Sequence, residues 1–195
     1  MKTILLSKQP QIVMNVLNEN SKLLVCKKFP VDYVGWVYIY CTKGELLQAH
    51  WGICNNGKDK HILYGRKCKD KDLESPHTEN GKVIARFWCD NVERFYNAGQ
   101  WVGEEPNDIM NIICNNACIS RDDLDDYCEG NYFYTINISK LEVFDKPLYL
   151  DDFTRPAKCR HCEKCEHKNN KICDKGFVKM FDKAPKNYCY VEEVE

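Results

Sequence analysis

The chain has 195 residues, 44% of them hydrophobic and 12% aromatic, with a formal net charge of −1. That length and apolar content fit one globular domain with an embellishment and exclude global disorder. The near-neutral balance excludes attraction to polyanions by overall charge, so any nucleic-acid contact has to come from a local patch.

In chain order, Thr3 to Ser7 reads as a short first strand. Pro10 suits the first turn of a helix that carries Ile12, Val13, Val16 and Leu17 at helical spacing. Leu23 to Lys28 predicts a second strand. Gly35 to Thr42 predicts the clearest one, with Trp36, Tyr38 and Tyr40 on one face and Val37, Ile39 and Cys41 on the other. Residues 44–80 read as a long excursion, closed by the turn pair Asn80-Gly81 and a strand from Lys82 to Asp90. Ser120 followed by Arg121, Asp122 and Asp123 is an N-capped helix start leading to Leu124 and Tyr127. Tyr132 to Phe144 holds one or two strands, and Tyr188 to Val194 holds a closing one. Short strands with brief helices predict an α+β or small barrel-like domain.

Thirteen cysteines are present, an odd number. The first ten residues hold only a three-residue apolar run, and no stretch approaches the ~20 apolar residues of a membrane span. The expectation is a reduced, cytoplasmic protein with no membrane role, whose thiols are core residues or metal ligands. Cys159, Cys162, Cys165 and Cys173 follow the pattern C-x-x-C-x-x-C-x(7)-C, a spacing that lets four thiolates converge on one soft metal ion. A structural zinc knuckle is the primary reading. The interleaved His161 and His167 can replace a ligand, an iron–sulfur cluster is the alternative, and free surface thiols are the bland one.

Between Lys158 and Lys186 stand nine basic and four acidic side chains, a local +5 that falls to +3 once four thiolates and a zinc ion are counted. Such a segment can touch phosphates, and its lysines also serve plain solubility. The aromatic row Trp36, Tyr38 and Tyr40, with Trp88 and Trp101, offers base-stacking surfaces, although such rows in small barrels are more often core. Lys27 and Lys28 beside it are phosphate-contact candidates or an exposed strand end. The run Asp122, Asp123, Asp125, Asp126 is a solvated helix start or a protein-binding face.

The ordered set of segments resembles the ASCH family, a PUA-like β-barrel. The residues that carry the likeness are Ser7-Lys8-Gln9-Pro10, Leu17-Asn18, Val37-Tyr38-Ile39-Tyr40-Cys41-Thr42 and Gly81-Lys82-Val83-Ile84. They continue with Phe87-Trp88-Cys89-Asp90, Ile119-Ser120 with Leu124, Phe144-Asp145-Lys146-Pro147, Ala184-Pro185 and Tyr188-Cys189-Tyr190-Val191. The resemblance implies a barrel over residues 1–152, a cysteine-rich metal-binding insert over 153–184 and a closing barrel strand over 185–195. Some relatives in the family carry cysteine-rich inserts before the last strand.

The same resemblance implies a nucleic-acid or modified-nucleotide ligand, and in its enzymatic members an amidohydrolase acting on acetylated cytidine. Departures from the pattern fall on the residues that carry chemistry. The family's turn Lys falls on Gln9, its Gly on Glu19, its Glu on Leu24, its Arg on Cys26, and the Gly after Val-Ile on Ala85. Lys22 replaces a catalytic Lys only with a one-residue slip, and Leu24 moves no proton. The expectation is therefore a binding module for RNA or a nucleotide with a degenerate catalytic site, contacted by Lys22, Lys27, Lys28, Tyr38, Tyr40, Arg86 and Trp88. The amidohydrolase is the first alternative. A phage-type protein-interaction or anti-defence protein is the second.

Overall fold

The computed structural model describes residues 3–44, 46–53, 59–65, 78–96, 104–155, 179–181 and 183–193. Among them, β1 (Thr3–Lys8) leads through Pro10 into α1 (Pro10–Leu17), followed by β2 (Leu23–Cys26) and β3 (Gly35–Cys41). A hairpin of β4 (Leu46–Ile53) and β5 (Asp59–Gly65) comes next, then β6 (Val83–Cys89) and β7 (Val92–Tyr96). Two helices, α2 (Glu104–Ala117) and α3 (Arg121–Cys128), precede β8 (Tyr132–Asn137) and β9 (Ser139–Leu148). β10 (Phe153–Arg155), β11 (Lys179–Met180) and β12 (Tyr188–Glu193) complete the chain.

The strands form a mixed seven-stranded sheet in the order β11-β10-β12-β1-β3-β6-β9, a three-stranded sheet β2-β8-β7, and the separate hairpin β4-β5. β1 and β3 are parallel neighbours at the centre of the large sheet, and both are apolar on their two faces, as a doubly covered strand must be. On one face Ile4, Leu6, Val37, Ile39 and Phe87 pack against Val13 and Val16 of α1 and Leu24 and Ile136 of the small sheet. On the other face Leu5, Tyr38, Tyr40 and Val83 pack against Phe153, Phe181 and Val191. A third cluster joins Met110, Ile113, Cys114 and Leu124 of the two later helices to Val25 and Phe133. The large sheet thus curls as a half-barrel around the first cluster, an α+β arrangement with three helices.

Several local readings hold. Gly81 sits at φ 82°, where a Cβ would meet Lys43 Cε at 2.9 Å, so the Asn80-Gly81 turn needs its glycine. Ser120 Oγ accepts the Asp123 N–H at 3.0 Å and caps α3. Ser120→Ala is expected to lower stability by about 1 kcal/mol in urea unfolding, because one helical N–H loses its acceptor.

Other readings were incomplete. Residues 44–80, read as a long excursion, contain the β4–β5 hairpin. β7 and α2 carried no expectation at all. α2 opens Glu-Glu-Pro-Asn and is rich in asparagine, which disfavours a helix locally. Its signal was the buried spacing Met110, Ile113, Cys114 and Ala117. β2 ends at Cys26, so Lys27 and Lys28 lie in the bend beyond it. Glu19, where the family pattern has glycine, sits at φ 57° after the end of α1, a left-handed conformation that glycine adopts without strain.

Trp101 and the cysteines at 159, 162, 165 and 173 lie outside the described residues. Their neighbours are informative. Arg155 pairs with Lys179 and Thr154 with Met180, so the chain leaves and re-enters the fold at one place. Phe153 and Phe181 on either side are buried in the core of the large sheet.

Candidate functional site

An open groove of 730 Å³ runs between α1, β2 and the α2–α3 corner. The first turns of α1 supply Gln9, Gln11, Ile12 and Asn15 as one wall. They stand there because Pro10 starts the helix directly after β1, with Gln9 as an N-cap whose side chain makes no capping bond. β2 supplies Leu24, Val25 and, just past its end, Lys27. Facing them are Ala117, Cys118 and Ile119, followed on α3 by Asp123, Asp126 and Tyr127. Gln9 and Leu24, the positions where the family pattern carries its turn Lys and its Glu, therefore line one cleft, and neither can transfer a proton at neutral pH.

Of the residues expected to contact a ligand, only Lys27 lines this groove. Its Nζ lies 3.5 Å from Glu129 Oε1 and 5.1 Å from the centre of the Tyr127 ring, and its backbone N–H donates to the Tyr127 hydroxyl at 3.2 Å. Lys22 and Lys28 are exposed. The Lys22 backbone bridges Asn116 and Ile138, but its side chain is not part of the groove lining.

Tyr38, Arg86 and Trp88 do come together, on a different surface. Arg86 lies 4.4 Å from the Trp36 ring centre, donates from Nε to Glu142 Oε2 at 2.6 Å, and reaches the Tyr38 hydroxyl at 3.4 Å. The hydrogen bond to Glu142 raises the guanidinium pKa further. Trp36 and Trp88 meet edge to face with ring centres 5.5 Å apart. Tyr38 packs against Phe144 and Phe153, and Tyr40 is buried beside it, so both rings are spent on the core. Arg86 is stacked and already paired with a carboxylate. Within this cluster Arg86 thus has both a carboxylate and an aromatic partner.

Three buried polar residues owe their partners to the tertiary fold. Lys8 is 6% exposed and its Nζ donates to the Val25 carbonyl, joining the large sheet to the edge of the small one. His61 Nδ1 lies 3.1 Å from Glu79 Oε2, and both residues are buried. The Asn18 side chain clasps both backbone groups of His61 at 3.0 Å, docking β5 against the end of α1. The groove residues Gln11, Asn15, Asp126 and Tyr127 were also not singled out as one site. They come from distant segments, and only the tertiary fold makes them neighbours.

Three buried thiols are held in the protonated form. Burial first, then the charge of Glu79, pushes the Cys41 thiol up to about 12. Burial likewise pushes Cys89 to about 12 and Cys128 to about 11. All three stay protonated at neutral pH. Cys26, Cys89, Cys114, Cys118 and Cys128 are free thiols. No group of three or more His, Cys, Asp or Glu among those residues can hold a metal ion, and no helix among them is long and apolar enough to cross a membrane.

The half-barrel sheet and its three helices among the described residues have the fold of a solved ASCH protein. The chain is similar in structure to the ASCH protein from Zymomonas mobilis, at 12% identity and a TM-score of 0.53, covering 100% of this chain and 99% of that one. A serine-to-alanine variant of that protein matches with a TM-score of 0.54 at 10% identity over 98% of this chain and 89% of that one. A tyrosine-to-phenylalanine variant matches at 0.53 and 10% identity over 98% and 91%. At such identities the likeness establishes the fold alone. No protein-family model and no curated protein sequence matches the chain.

Proposed function

We propose that this protein is an ASCH-fold module that binds a nucleoside or nucleotide, free or presented by RNA, without turning it over. The observation that supports this is the 730 Å³ groove with Leu24 in its lining. Its volume falls within the ~300–1,000 Å³ of small-ligand sites. Gln9, Gln11 and Asn15 offer amide donors and acceptors suited to the edge of a base, while Ile12, Ile119 and Tyr127 offer apolar surface for its faces. Hydrolysis of an acetylated base needs a group to move a proton and a donor to polarise the carbonyl. The position where the resemblance implies the proton-moving Glu holds Leu24, and Lys22, which replaces the catalytic Lys only with a one-residue slip, is not in the groove lining.

Calorimetric titration with cytidine, acetylated cytidine and short single-stranded RNA tests the reading. Saturable binding is expected for the intact chain, and at least a tenfold loss for Gln11→Trp, which fills the groove from an exposed position. Chromatography of acetylated cytidine after incubation is expected to show no deacetylated product. Turnover would favour the amidohydrolase instead, and absence of any binding would remove both readings.

We also propose that Cys159, Cys162, Cys165 and Cys173 hold one structural zinc ion. Four thiolates make a closed tetrahedral set with no open position for catalysis. The β10–β11 pairing, which brings the two ends of the segment side by side, suits an insert ordered by its own metal.

A further inference from the structure

We infer that the groove is also a docking site for a protein, in which the free edge of β2 takes up an extended, basic peptide segment of a partner as an added strand. The inference goes beyond the nucleoside reading and does not depend on it. β2 is the outermost strand of the three-stranded sheet and pairs only with β8 among the described residues. The register fixes which of its backbone groups face outward. Asn137 donates its N–H to Asn91 on the β7 side at 3.0 Å, and Ile138 donates to Lys22 on the β2 side at 3.0 Å. Hydrogen-bonding direction alternates along a strand, so Leu24 and Cys26 bond to β8 while Leu23 and Val25 turn to the open edge.

Two contacts agree with that assignment. The Val25 carbonyl accepts the Lys8 ammonium, and the Lys27 N–H donates to the Tyr127 hydroxyl at 3.2 Å. The Val25 N–H and the Leu23 carbonyl have no partner among the described residues. Val25 is only 8% exposed, and a buried amide without an acceptor is rare in a folded protein. Val25 lines the groove, between α1 on one side and the α2–α3 corner on the other. One residue of a parallel strand laid opposite Leu24 satisfies both open groups at once. Its N–H donates to the Leu23 carbonyl and its carbonyl accepts the Val25 N–H. Strand addition at a sheet edge gains its affinity through main-chain bonds of this kind. The edge from Leu23 to Lys27 admits about four residues at the ~3.3 Å rise of a strand. The lining sets Asp123 and Asp126 against the single Lys27, which favours a basic segment over an acidic one.

The test selects binders of the full chain from a phage-displayed library of random short peptides, then follows the best synthetic peptide by calorimetry and by amide hydrogen exchange. Basic sequences are expected to be enriched. N-methylation of the peptide amide that faces β2 is expected to weaken binding about tenfold, because the Leu23 carbonyl loses its donor. Methylation of the next amide along is expected to matter little, since it points away from the edge. The Val25 amide is expected to exchange about tenfold more slowly in the complex, while those of Leu24 and Cys26, already bonded to β8, change little. No enrichment, enrichment of acidic sequences, binding that ignores N-methylation, or an unchanged Val25 amide would each overturn the inference. Titration with cytidine in the same preparation decides the nucleoside reading separately. A peptide that docks where cytidine does not would leave this inference standing alone, and cytidine that binds where no peptide does would overturn it.

Discussion

Leu24→Glu, which returns a carboxylate to the position where the family pattern carries one, is expected to destabilise the protein by about 3–5 kcal/mol and to produce no catalysis. Leu24 is 1% exposed and packs in the main cluster with Cys26, Val37 and Ile136. A glutamate there exchanges apolar contacts for a carboxylate that must ionise at the margin of the core or remain protonated. Burial raises its folded pKa above the unfolded value of about 4.3. The pH-dependent part of the deficit is therefore absent below that value, where both states are protonated, and only the lost apolar packing remains. The deficit grows as pH rises toward the folded pKa and is constant above it. Urea unfolding of both proteins at pH 4 and pH 8 reads this directly: a smaller separation of midpoints at pH 4 and a wider one at pH 8. Equal stability at pH 8 would mean that the side chain turns out into the groove. Deacetylation by this variant would show that the rest of a hydrolytic site survives.

Cys162→Ser is expected to abolish zinc binding while leaving the barrel folded. Metal analysis should give one zinc per chain for the natural sequence and none for the variant, with the three remaining thiols of the set becoming reactive. The binding free energy lost is on the order of 10 kcal/mol at neutral pH, but it belongs to the ordering of the insert. The barrel does not share it, because Phe153 and Phe181 at the two ends of the insert are buried with Leu5 and Tyr38. Unfolding of the barrel, followed by tryptophan fluorescence, should shift by less than about 1 kcal/mol. Unchanged metal content would reject the four-cysteine site. Visible absorbance with iron in the natural protein would replace zinc by an iron–sulfur cluster.

The acidic helix shows how far local reading reaches. Its N-cap, its first turn and its buried Leu124 follow from a few adjacent residues, and each appears where expected. What that helix faces does not follow from them. Asp126 becomes a candidate ligand contact only because α3 stands opposite α1 across a cleft, more than a hundred residues away along the chain. The aromatic row gives the opposite case. Alternation correctly placed Trp36, Tyr38 and Tyr40 on one face of a strand, yet Phe153 and Phe181, from beyond residue 150, cover that face and turn two of the three rings into core.

From the order of its residues alone, this chain's fold, most of its strands, and its caps and turns were legible, because each depends on short-range periodicity or on a motif read in line. The groove, the buried placement of Lys8, the His61–Glu79 pair and the pairing of Arg86 with Glu142 were decided by tertiary structure. Each of these depends on which distant strand or helix comes to lie alongside. That in turn is set by how the whole set of apolar faces is buried at once, a global condition that no local window of sequence contains.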